Sequence, residues 1–154
     1  MMCRLLPRTV HAVLLFLLLE SFSHATPGQG IAVIVSPGNS MGMSLEQLAL
    51  VYRKKKSFWD NGQRIQPVNL PAAHPARRVF SLWVLNHAPE EMEDYWKEMY
   101  FHGIQPPFVL ASEEAVIRFV ASTPGAIGYV NRCLVDHRVR ILLQQEGGAP
   151  CPHP

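Results

Sequence analysis

His74, Arg77 and Arg78 stand close together around Pro75 in the stretch Leu70-Pro71-Ala72-Ala73-His74-Pro75-Ala76-Arg77-Arg78. Proline is tolerated in the first turn of a helix, where a missing N–H costs nothing, so Pro75 is expected to open one. A helix start presents unpaired N–H groups and a partial positive charge, and two guanidiniums and an imidazole reinforce it here. The chemistry on offer is recognition of a small anion. Asn69 ends the apolar segment just before this turn, and Ser36 and Asn39 follow another such segment. Ligands of open α/β sheets gather outside the carboxyl ends of strands, so Asn69, Ser36 and Asn39 join the candidate set. The competing reading makes Arg77 and Arg78 solvated charges on the outer side of an amphipathic helix and His74 a loop residue.

Catalytic chemistry finds no comparable support. The chain has no G-x-S-x-G, no H-E-x-x-H and no glycine-rich phosphate loop. His74, His87, His102, His137 and His153 show no metal-ligand spacing, and Cys151 with His153 supplies only two donors in a Gly/Pro-rich tail. Asp136-His137 has no nucleophile beside it in sequence. The expectation is a non-enzymatic binding protein with no cofactor and no metal.

The first residues set the compartment. Arg4 and Arg8 precede an apolar run, Ala12 to Leu19, that ends at Glu20 and is followed by Ser23-His24-Ala25. This is the pattern of a secretory signal peptide cut after Ala25, leaving Thr26 as the new N-terminus. The run is less than half of the roughly 20 apolar residues that a bilayer span needs, so no membrane span is expected after cleavage, and the mature protein is expected to be periplasmic or secreted. Removing Arg4, Arg8 and Glu20 from the 14 basic and 12 acidic residues leaves 12 against 11. That near-neutral balance argues against nucleic acid as a partner. Cys133 and Cys151 remain after cleavage, in a compartment where disulfides form. A bridge between them and a pair of free thiols are both open, because geometry decides.

The elements that must position these groups alternate between strand and helix. Ile31 to Val35 is a β-branched run closed by Ser36-Pro37-Gly38-Asn39, as expected of a strand buried on both faces. Ser44 with Gln47 makes a capping box, and Leu45, Leu48, Ala49 and Tyr52 repeat at helical spacing, with Arg53 to Lys56 as a solvated cationic end. After the turn Trp59-Asp60-Asn61-Gly62, Ile65 to Leu70 reads as a strand. The helix from Pro75 carries Val79, Phe80, Leu82, Trp83 and Leu85 and is expected in the core. A further helix from Pro89 has Met92, Tyr95, Trp96 and Met99 on one stripe and a Glu93–Lys97 pair on its wet side. Gly103 and Pro106-Pro107 separate it from a helix capped by Ser112, with Glu113 and Glu114 in its first turn. Thr123-Pro124-Gly125-Ala126 has the composition of a type II turn, which leads directly into a strand from Ile127 to Val130. A last strand is expected over Val139 to Leu143, and the Gly/Pro-rich residues from Gln144 to Pro154 form a flexible tail. The domain organisation is therefore a signal peptide over 1–25, an α/β domain over 26–143 and a tail over 144–154.

Two of these stretches carry a resemblance. "MSLEQLALVYRKKKSFWDNGQRIQPVN" followed by "FVASTPGAIGYV" is similar to one lobe of the type II periplasmic solute-binding proteins, in particular the phosphate-binding proteins of ABC transporters. The resemblance covers almost all of the mature chain. It implies a single lobe with a mixed β-sheet flanked by helices, in a family where ligand is held between two lobes. The partners it implies are a small anion such as phosphate, the membrane component of an ABC transporter, and a second lobe from another chain. In that family an Arg-Ser-Asp-Gly-Ser-Gly-Thr segment surrounds the anion; here Leu70-Pro71-Ala72-Ala73-His74-Pro75-Ala76 stands in its place. Two functions of different classes follow: an exported module that binds phosphate or another small anion, and an accessory or protein-interaction domain that kept the fold and lost the ligand site.

Overall fold

Five strands build one sheet, and their directions decide which loops meet. The computed structural model describes residues 30–148, 150 and 151; the signal peptide, its cut after Ala25, and His153 lie outside the described residues. Strand β1 (Ile31–Val35) is buried along its whole length, as its β-branched run requires. Helix α1 spans Leu45–Tyr52, β2 Gln66–Asn69, α2 Pro75–Phe80, α3 Glu93–Phe101, β3 Phe108–Val109, α4 Glu113–Ser122, β4 Ala126–Asn131 and β5 Arg140–Gln144. Their order across the sheet is β3-β2-β4-β1-β5. β2 runs parallel to both β4 and β3, whereas β1 is antiparallel to β4 and to β5, with Ile31 opposite Asn131 and Val35 opposite Ile127. The sheet is thus mixed, and β2, β3 and β4 end at one edge while β1 ends at the other.

Local signals hold where they were strong. The Ser44 hydroxyl accepts from the Gln47 N–H at 3.3 Å and the Gln47 side chain accepts from the Ser44 N–H at 3.0 Å, closing the capping box. The Thr123–Ala126 turn closes with a 3.1 Å bond from the Ala126 N–H to the Thr123 carbonyl, and Gly125 sits at φ 78°. A side chain there would be strained by that φ and would also run into the carbonyl of Arg64. The same glycine joins the two distant motifs, because its carbonyl accepts from the Trp59 indole at 3.1 Å and from the Gln66 N–H at 3.0 Å. Three residues further on, a Cβ at Gly128 would lie 2.5 Å from Val116 Cγ1. The missing side chain therefore lets α4 lie directly on β4, which is why the chain leaves a helix and enters a strand through so short a splice. Beneath α2, Phe80 stacks on Tyr129 with ring centroids 3.8 Å apart, and Tyr52 tilts against Phe80 at 4.6 Å.

Several expectations are corrected by packing. The helix from Pro75 widens into a π-helical segment over Ser81–Leu85, and although Phe80, Val84 and Leu85 are buried, Leu82 is 48 % exposed. The helix after Pro89 begins as a 3-10 turn over Pro89–Met92, and no residue of α3 is fully buried. Of its apolar stripe Met92 is buried, whereas Tyr95, Trp96 and Met99 are half-buried. On its wet side Lys97 pairs with Asp94 at 2.9 Å instead of with Glu93, since a neighbour one turn back lies within reach at i,i+3 as well as i,i+4. The short strand β3 lies in what reads as a mere separator, because Pro106-Pro107 masks the strand pattern before it. Arg53 is not simply solvated: its Nη2 donates to the Leu85 carbonyl at 2.9 Å and ties the end of α1 to the π-helical segment. A disulfide joins Cys133 to Cys151 with Cα atoms 5.3 Å apart, so the segment beyond β5 is tied at Cys151. Among the described residues no helix is long and apolar enough to cross a membrane.

Candidate functional site

The edge where β2 and β4 end carries a buried polar arrangement. Tyr129, near the end of β4, donates its hydroxyl proton to Asn69 Oδ1 at 3.1 Å and accepts from the Leu70 N–H at 3.1 Å. The Asn69 carbonyl in turn accepts from the Leu110 N–H at 2.8 Å, which draws the segment after β3 to the same edge. Asn69 is buried, and this network explains how an amide can sit at the end of a covered strand, since buried polar groups must find partners. Burial pushes the Tyr129 phenol pKa up, and the Arg77 guanidinium lying against it works in the opposite direction. The Glu113 carboxylate, which accepts from the Asn131 N–H, is also near enough to be felt by the phenol.

Arg77 is the residue that this arrangement leaves incomplete. It lies in the first turn of α2, and its Nε and Nη1 are buried with no acceptor among the described residues. Arg77 as a residue is half-buried and its guanidinium bonds Tyr129, but two buried donors left unmet cost free energy until acceptors are supplied. Nε and Nη1 point to different sides of the guanidinium plane's outline, since the side-on fork pairs Nε with Nη2, so the two unmet donors call for two separate acceptor oxygens.

The other predicted residues divide. His74 is the N-cap of α2: its Nδ1 accepts from the Ala76 N–H at 3.2 Å, and its own N–H donates to the Pro71 carbonyl at 2.9 Å. With Pro75 lacking an N–H, little of the helix start is left for a ligand, so the expected anion site at the backbone amides is largely taken by the chain itself. Arg78 turns outward and pairs with Glu90 at 2.6 Å, both side chains more than half exposed. Ser36 and Asn39 are not brought to Asn69 at all. Sequence order puts them after a strand end, but β1 is antiparallel to β4, so its end lies at the opposite edge of the sheet. There the Ser36 carbonyl accepts from the Asn39 N–H at 3.0 Å, Asn39 Oδ1 accepts from the Met41 N–H at 2.9 Å, and the Asn39 carbonyl accepts from Arg140 Nη2 at 2.7 Å. They line a separate cleft of about 320 Å³ with Asn61, Gln63 and Thr123. Tyr129 escaped sequence reasoning because Ile127 to Val130 reads simply as an apolar strand; a buried tyrosine hydroxyl, which needs a partner, was the available signal. Among the described residues no group of three or more His, Cys, Asp or Glu side chains could hold a metal ion.

No protein-family model matches the sequence, and a search of curated proteins returns no match. Solved structures do match. The chain superposes on an ABC-type phosphate transport receptor from Vibrio cholerae with a TM-score of 0.57 at 21 % identity, over 73 % of this chain and 45 % of that one. A putative phosphate ABC transporter substrate-binding protein with bound phosphate, from Clostridium perfringens, gives a TM-score of 0.60 at 20 % identity, over 73 % and 44 %. PstS from Borrelia burgdorferi gives 0.52 at 20 % identity, over 68 % and 41 %. The chain therefore has the mixed α/β fold found in these binding proteins, and it spans less than half of the length of the structures it matches.

Proposed function

We propose that this chain captures a small oxyanion, phosphate or one of similar size and charge, as the exported binding component of an ABC transport system. The observation that carries the reading is Arg77, half-buried as a residue, whose buried Nε and Nη1 lack acceptors among the described residues beside the Tyr129–Asn69 network. An oxyanion supplies both the opposite charge and the acceptors, and the fold's solved neighbours include one with bound phosphate. In this reading Arg77 binds the ligand, Tyr129 and Asn69 hold the guanidinium's surroundings, and His74 fixes the start of α2. Arg78, held by Glu90, contributes only a distant positive charge. The hydroxyl-rich segment that the resemblance leads one to expect is replaced by alanines and prolines, so a second lobe from another chain supplies the remaining donors.

Titration calorimetry of the mature chain with inorganic phosphate tests the site. Phosphate heat should be detectable for the wild type and should vanish with Arg77→Ala, while thermal unfolding confirms that the variant is folded. Equal phosphate binding by Arg77→Ala would remove the guanidinium from the site. Absence of binding by both would favour the accessory reading, which has its own supporting observation: Tyr100, Phe101 and Phe108 are 67 %, 87 % and 70 % exposed, an apolar surface of the kind that partners cover. Phe58 is also exposed, but Trp59 is buried and Trp83 half-buried, so the aromatic surface is on the α3 side of the molecule.

A further inference from the structure

A second concave surface lies under the start of β2, at the edge of the sheet away from Arg77. It is a groove of about 630 Å³, walled by the end of α1 on one side and by the segment leading into β3 on the other. Small-molecule sites fall between about 300 and 1,000 Å³, so the groove is of the right size for one. Its lining contains Lys54 and Arg64 and no carboxylate or imidazole. Among the described residues neither cation takes part in an ion pair. Ile65 and Val68 are 4 % and 1 % exposed, so the accessible apolar lining is that of Ile104, Pro106, Phe108 and Phe119, beside the neutral polar groups Ser57, Gln66 and Gln105.

Lys54 is set up in an unusual way. Its backbone lies in the left-handed region at φ 60°, just past the end of α1, where its N–H donates to the Val51 carbonyl at 2.9 Å. Glycine is the residue expected in that conformation, and a side chain there carries a cost that persists only if something else is gained. The lysine is half-buried, and burial, followed by the nearby Arg64 charge, holds its amine below the usual lysine range. Two like charges thus face one groove with no counter-ion among the described residues. An anion placed between them relieves the repulsion, and the apolar wall favours one attached to a hydrocarbon body.

We propose that this groove binds an amphipathic organic carboxylate, with Lys54 and Arg64 holding the carboxylate and Ile104, Phe108 and Phe119 covering the apolar body. The groove runs along Gln66, Pro67 and Val68 of β2, but none of Asn69, Arg77 and Tyr129 lines it, so the site is distinct from the Arg77 edge, and it stands whether or not phosphate binds.

Sodium octanoate, titrated into the full mature chain and followed by calorimetry and by amide NMR shifts, tests the proposal. Octanoate should bind and should move the amides of Ser57, Gln66 and Gln105. The neutral analogue octanamide should bind about tenfold more weakly, and the double variant Lys54→Gln/Arg64→Gln should weaken octanoate by about tenfold or more, the scale of losing a partly desolvated charge contact. Arg77→Ala should leave octanoate binding unchanged. No binding up to about 1 mM, a ceiling affinity of about 4 kcal/mol, would overturn the assignment. So would equal binding by the double variant, equal binding of octanamide, or shifts centred on Tyr100 and Phe101 in place of the groove.

Discussion

At the scale of single residues, two side chains make the clearest statements about what holds the site. Tyr129 serves Asn69 and Leu70 at once, at 3.1 Å each, in a place water does not reach. Tyr129→Phe leaves a buried acceptor and a buried N–H unmet and should destabilise the protein by about 1–3 kcal/mol, read from urea unfolding; a change within experimental scatter would mean the network relaxes without cost. Asp136 reports on the loop after β4. Arg138 grips it through Nε at 3.0 Å and Nη2 at 2.7 Å, and these bonds lower its carboxyl from the ordinary 3.8 to about 2. A folded pKa below the unfolded one gives stabilisation that is present above the ordinary value and lost as pH falls toward about 2. Carboxyl ¹³C titration of the native protein should place the Asp136 midpoint well below its ordinary range, and Arg138→Gln should raise it. An ordinary midpoint in the wild type would show that the pair is not maintained in solution.

At the scale of elements, the joints between α4, β4 and the Trp59 turn carry the architecture. Gly125→Ala meets a strained φ and the Arg64 carbonyl together, and the second of these forces the strand start away from β2. The expected loss is about 2 kcal/mol or more, seen as a lower melting temperature, whereas an unchanged melt would mean the turn adopts another geometry. The disulfide is the other joint. It closes a loop with a sequence separation of 18, spanning β5. Iodoacetamide without reductant should modify neither Cys133 nor Cys151. Reduction should lower stability by up to about 3 kcal/mol on the chain-entropy estimate for a loop of this size. Full labelling of both thiols in the native protein would count against the bridge.

At the scale of the whole molecule, the number of donors limits affinity. The segment Leu70-Pro71-Ala72-Ala73-His74-Pro75-Ala76 brings no hydroxyl to the Arg77 edge, and the chain covers 45 % and 44 % of two phosphate-transport structures whose fold it shares. A half-buried guanidinium with few supporting donors should bind phosphate on the order of millimolar, roughly 4 kcal/mol, and added salt should weaken it. Calorimetry giving a micromolar constant unaffected by salt would mean that this single unit already encloses the anion. Electrostatics points the same way: the sequence carries 14 basic and 12 acidic residues, so steering of an anion depends on the local cations and not on the net field.

Much of this molecule was determined locally and could be read from the chain. The β-branched run of β1, the Ser44–Gln47 box, the proline at the start of α2, the Ser112 cap and the Pro-Gly turn are decided by neighbours within a few residues, where steric and hydrogen-bonding preferences act without help from the fold. The motif pair that resembles a solute-binding lobe is legible for the same reason, and the structure explains its spacing, since the Trp59 indole and the Gly125 carbonyl meet at 3.1 Å. Strand direction is not a local property. Only the antiparallel pairing of β1 with β4 separates Ser36 and Asn39 from Asn69, and only the packing of α2 on Tyr129 buries Nε and Nη1 of Arg77 while Arg78, its neighbour in sequence, stays outside with Glu90. The same holds for the half-buried stripe of α3, the two-residue strand β3 and the convergence of Lys54 and Arg64 on one groove. Sequence sets which groups can bond; burial and relative orientation, which arise when distant segments share a surface, decide which of them are left with bonds still to make.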